Sequence, residues 1–130
     1  FFLAMAITSD FFSLINTTIE FLVTDDDQLQ LAYVKNYPNP MQNNTHFELS
    51  HNFAGQNLDV VINVYALSGA LMKTIHRYYT QAPAVISDLQ WNGSDKNEMT
   101  LSSGVYYYQV LLKADNGQTT QKVEKLIKVD

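Results

Sequence analysis

The chain has 130 residues, of which 46% are hydrophobic and 16% charged, a balance that supports a buried core and excludes an extended disordered chain. A formal net charge of −5 and a pI near 4.9 argue against nucleic acid as a partner, because phosphate binding needs a basic stripe. There is no cysteine, which removes disulfides, thiolate metal ligands and a cysteine nucleophile from this chain. No apolar run reaches the roughly 18 residues of a membrane helix.

The first stretch, "FFLAMAITSDFF", lacks a basic n-region and makes a poor signal peptide, so the chain reads as a fragment of a longer polypeptide. Next, "TIEFLV" places Ile19, Phe21 and Val23 on one face of a strand, and "LQLAYV" follows the acidic turn "TDDDQ". The stretch "NYPNPMQNN" then breaks the pattern, because each proline fixes φ and removes a ladder donor. Such a break predicts a domain boundary. Residues 1–35 are expected to end an upstream β-sandwich or form a linker, and residues 36–130 to make a sandwich of their own.

Beyond the break, alternation predicts strands near 44–51, 58–66, 70–79, 84–91, 104–114 and 118–129. "THFELSH" puts Phe47 and Leu49 on one side, and "NLDVVINVYAL" gathers Leu58, Val60, Ile62 and Val64 on one face. "LSGAL" turns through Gly69 into "LMKTIHRYY", and "AVISDLQW" ends at the only tryptophan. After the polar loop "NGSDKNEMTLSSG", the strands "VYYYQVLLKA" and "QKVEKLIKV" flank "DNGQ", a hairpin signal of the type I′ kind. Short strands at this spacing, with no sustained helical periodicity, indicate an all-β sandwich.

Groups that carry chemistry are scattered. His46, His51 and His76 show no metal-ligand spacing. Asp25, Asp26 and Asp27 are adjacent, unlike the alternating acids of a calcium loop. Asp88, Asp95 and Glu98 are carboxylates of the type glycoside cleavage uses, but nothing gathers them on one cleft. Ser102 and Ser103 lack a nucleophile elbow. The chain is therefore not read as an enzyme, and neither a cofactor nor a metal is expected. The run "VYYYQV" with Trp91 admits two readings, a sugar-stacking platform or tyrosines alternating between core and sheet surface. In "QKVEKLIKVD", Val123, Leu126, Ile127 and Val129 interleave with Lys122, Lys125 and Lys128, which suits a final strand with a charged edge.

In order, "YPNP", "THFEL", "VVINVYALSGALMKT", "LQWNGSD", "LSSGVYYYQV" and the terminal "QKVEKLIKV" resemble the type A C-terminal sorting domains of the type IX secretion system, over 36–130. The upstream residues, with "FELSHN", are similar to the C-terminal region of that system's sortase, a cell-surface cysteine peptidase. The sequence departs from the family pattern at Ala66, Ala70 and Asn92, where Asp, Arg and Asp are usual. The resemblance implies an immunoglobulin-like sandwich of about seven strands. It also implies export through the periplasm to the cell surface and docking at the outer membrane. Lys122, Lys125, Leu126, Ile127, Lys128 and Val129 would carry the export signal, with type IX secretion components as partners. Self-association through an edge strand is a further expectation. The alternatives are the cleaved sorting domain of an exported cargo and a carbohydrate-binding sandwich of a surface hydrolase.

Overall fold

The computed structural model describes residues 28–130; the expected strand "TIEFLV" and the acidic turn at Asp25–Asp27 lie outside them. Seven strands follow in order: β1 (Leu31–Tyr37), β2 (Thr45–His51), β3 (Leu58–Ala66), β4 (Leu71–Tyr79), β5 (Val85–Trp91), β6 (Gly104–Ala114) and β7 (Thr119–Lys128). They form two antiparallel sheets, β1-β2-β5 and β4-β3-β6-β7. Constant-type immunoglobulin domains order their strands 1-2-5-4 against 3-6-7. Here the fourth strand has moved beside the third, so β4 and β5 become edges on the same side of the sandwich.

The six strands expected after the prolines are present. The face chosen from alternation in β3 is the buried one: Leu58, Ile62 and Val64 are 0% exposed and Val60 1%. From the facing sheet come Phe47, Leu49, Ile86, Leu89 and Trp91, and from β6 Tyr108, Val110 and Leu112, all buried. Phe47 sits at the centre, stacked on Trp91 at 6.4 Å and edge-on to Tyr108 at 4.9 Å, the offset geometries that ring quadrupoles favour.

The boundary expected between residues 35 and 36 falls inside β1. That strand pairs with β2 from Leu31 to Tyr37, and Leu29, Leu31 and Val34 belong to the shared core. The prolines are the β1–β2 connection. Asn36 and Thr45, both buried, hold it: Asn36 Nδ2 donates to Thr45 Oγ1 at 3.1 Å, and Thr45 Oγ1 donates to the Pro38 carbonyl at 2.9 Å. A proline-rich break is thus a strand connector wherever buried polar side chains satisfy the carbonyls it frees.

The β6–β7 hairpin also differs from expectation. Gly117 N donates to Ala114 O at 2.9 Å and Ala114 N to Gln118 O at 2.9 Å. Gly117 lies at φ 93°, while Asn116 is not among the positive-φ residues. The loop is therefore the three-residue form closed by a glycine bulge, not the two-residue type I′ turn. The β3–β4 hairpin has the same bonds across Ala66, Gly69 and Ala70.

Candidate functional site

The residues expected to carry the export signal all lie on β7 or just after it. This strand forms one edge of the four-stranded sheet and pairs with β6 from Lys113↔Thr119 to Gly104↔Lys128. In an antiparallel ladder alternate residues turn their backbone groups outward. Here the outward residues are the odd ones, because Ile127 and Val129 bond away from β6. Ile127 O accepts from Met41 N at 2.8 Å, Val129 N donates to Met41 O at 2.8 Å, and Ile127 N donates to Asn39 Oδ1 at 2.9 Å. Asn39 Nδ2 donates to Lys125 O at 3.1 Å, and Gln42 Nε2 to Asp130 O at 2.9 Å.

The proline connection therefore clasps the end of the strand. Met41, 0% exposed, is the centre of this clasp, and its parallel bridge to Lys128 ties the β1–β2 loop to the C-terminus. Among the described residues, Gln121 and Val123 have no partner for their outward backbone groups. The first half of β7 is an open edge, and the second half is closed.

Side chains divide in a way that simple alternation of lysine and apolar residues does not convey. Lys122 and Lys125 are exposed, Leu126 is 0% exposed, and Ile127 and Val129 are half-buried. Lys128, expected as a surface charge, is 4% exposed. Its Nζ donates to Val129 O at 3.2 Å. Its stem runs against Gly93, where an added Cβ would lie 3.1 Å from both Lys128 Cε and Met41 Cε. A long aliphatic stem gains by such packing. Val123 is the reverse case, an apolar residue 57% exposed. It lies on the outer face of the sheet, opposite Gln109, with Lys125 opposite Tyr107 and Ile127 opposite Val105.

The other candidate groups are not brought together. Asp88 accepts from Arg77 at 3.2 Å and from the Tyr79 hydroxyl at 2.6 Å. Asp95 accepts from the backbone of Asn97 and Met99, which holds its carboxyl below the usual range. Glu98 pairs with Lys73 at 3.2 Å. His76 binds Asp59, while His51 is buried with a lowered pKa because its ring is desolvated. No group of three metal-ligating side chains occurs among the described residues.

The aromatic run follows strand alternation. Tyr106 and Tyr108 are buried, and Tyr107, 40% exposed, lies on the outer face opposite Tyr65 of β3. Trp91 is 4% exposed, and its Nε1 donates to Ser94 O at 2.9 Å. A sugar-stacking platform of Trp91 and the tyrosines does not form. The clasp itself escaped the sequence reading; its signal was Met41, a lone apolar residue amid "YPNPMQNN".

No family model and no curated protein matches the chain. Solved structures do. The crystal structure of dimeric latent PorU from Porphyromonas gingivalis superposes with a TM-score of 0.66 at 25% identity, over 74% of this chain and 9% of that one. The β-glucuronidase of Parabacteroides merdae matches with a TM-score of 0.58 over 78% of this chain and 13% of that one, but at 10% identity; that likeness concerns the fold alone. The chain thus spans a small part of both proteins.

Proposed function

We propose that this sandwich is an export and outer-membrane docking domain of type IX secretion, acting by protein recognition. It would belong to a surface peptidase like the sortase PorU, whose chemistry lies outside this chain and which reaches the cell surface through the periplasm. The likeness to PorU supports the choice of system. The observation that carries the mechanism is the half-open terminal strand. Outward backbone groups at Gln121 and Val123, flanked by exposed Lys122 and Lys125, offer a partner strand an edge to extend, with the lysines setting charge preference. The clasp at 39–42 would confine that pairing to one half.

Deleting 122–130 does not test this cleanly, because it removes Leu126 from the core. Two variants do. Lys122→Gln with Lys125→Gln removes exposed charge, and Val123→Pro removes an outward N–H that β6 does not use. The expected result is a folded protein, by thermal melt, whose delivery is impaired, by protease accessibility on whole cells. Normal display of both folded variants would refute recognition at this edge.

A further inference from the structure

Away from β7, the two edge strands β4 and β5 flank a cleft of about 360 Å³ lined by Lys73 and Ile75 on one wall and Gln90 and Trp91 on the other, within the size range of small-molecule sites. Polar contacts bridge its two walls at both ends. At one end the 92–99 loop is pinned to β4 by Lys96 N donating to Met72 O at 2.8 Å, and braced by the Asp95 carboxylate. At the other, Asp88 on β5 binds Arg77 and Tyr79 on β4. The space is thus preformed and compact, which suits a small ligand better than an extended chain.

The polar groups in this cleft are of two kinds. Asn44 and Gln90 line it with carboxamides that have no protein partner among the described residues. Asn92 adds a third, using only its Oδ1, which accepts from Ser94 N at 3.1 Å and Ser94 Oγ at 2.6 Å. Each carboxamide presents donors and an acceptor on one short stem, as neighbouring hydroxyls require. The second kind is Lys73, whose side chain is 20% exposed and whose counter-ion, Glu98, is 72% exposed. A carboxylate entering the cleft can take that place on the ammonium, since an exposed partner holds it weakly. Ile75 and Trp91 supply apolar surface; the indole N–H is already bonded to Ser94 O.

We propose that this cleft binds an acidic saccharide, with the carboxylate on Lys73, hydroxyls on Asn44, Gln90 and Asn92, and a ring face against Ile75. The site is distinct from the proposed recognition edge and from the Trp91–tyrosine platform that the structure rules out. Glu98 then acts as a competitor for Lys73, so removing its charge should strengthen binding.

The test is a titration of the full 130-residue chain with D-galacturonate, followed by backbone amide shifts, with D-galactose, acetate and a short acidic peptide as comparison probes. Shifts should cluster on β4, β5 and the 92–99 loop with galacturonate, and be weaker with galactose and with acetate. Lys73→Gln should weaken binding about tenfold, the loss expected for one charge-assisted hydrogen bond. Gln90→Ala, at an exposed position, should weaken it without changing the melting temperature. Glu98→Gln should tighten it. Galacturonate shifts that are absent or lie elsewhere, equal binding of acetate or galactose, preference for the acidic peptide, or a Glu98→Gln variant no tighter than the parent would each overturn the assignment.

Discussion

Gly93 should be the most demanding residue of the loop that follows Trp91, and Gly93→Ala isolates why. Its φ is +76°, a conformation that costs an ordinary L-residue about 1–2 kcal/mol. The added Cβ would also meet Lys128 Cε and Met41 Cε at 3.1 Å. Both neighbours are flexible ends, but both are buried and neither can swing into solvent, so overpacking adds about 1 kcal/mol or more. The total, about 2–4 kcal/mol, is a large share of the roughly 5–15 kcal/mol that holds a domain together. For a domain of this size it should lower Tm by about 10–20 °C. The damage should be directional, since the displaced atoms belong to the clasp on β7. Amide exchange should accelerate first at Ile127 and Val129, before the β3 core opens. Gly93→Asn divides the two contributions, because Asn adopts positive φ more readily while keeping the Cβ contact. An alanine variant with parental Tm and unchanged protection at Ile127 and Val129 would refute this account of the glycine.

Ile62→Ala should cost about 2–4 kcal/mol in denaturant melts, through lost burial and the cavity left in a 0%-exposed position. Tyr108→Phe should be neutral or stabilising, because the buried hydroxyl has no hydrogen-bond partner among the described residues; a loss beyond about 1 kcal/mol would show that the hydroxyl matters. His51 gives a pH dependence. Its Nδ1 accepts from Phe53 N at 3.0 Å, so Nε2 carries the proton donated to Pro83 O at 2.7 Å, and the ring is held neutral. Burial lowers its folded pKa, so the unfolded chain takes up a proton first as pH falls below about 6.5. Stability should be complete above that pH and decline through the acid side, and melts of His51→Gln should show a smaller decline between pH 7.5 and pH 5.5.

Most of the fold was legible because β3 and its neighbours obey a simple rule. Where one face of a strand meets a core, residues two apart share its character, and Leu58, Val60, Ile62 and Val64 announce that face in any context. The start of the domain was not legible for an equally physical reason. Two prolines near an asparagine cluster end a strand in the same way whether the next strand belongs to another domain or turns back on the first. The difference lies in long-range bonds, Asn36 to Thr45 and Met41 to Ile127, that no local pattern encodes.

The terminal strand shows the same limit at the level of single side chains. Alternation assigns Lys122, Glu124, Leu126 and Lys128 to one face and Val123, Lys125 and Ile127 to the other, but it says nothing of what covers each face along its length. Because Met41 and Gly93 close over only the last residues, Lys128 is buried while Lys122, on the same face, is exposed. That uneven cover also reconciles two demands on an edge strand. An edge must be blocked to avoid uncontrolled pairing, yet a strand recognised by another chain must keep some backbone free. Clasping residues 125–129 satisfies the first demand where the core needs this strand most, and leaves the outward backbone groups of Gln121 and Val123 open for the proposed recognition. Substitutions in the two halves should therefore separate: Gly93→Ala should loosen the clasped end and lower stability, whereas Val123→Pro should alter recognition with the core intact.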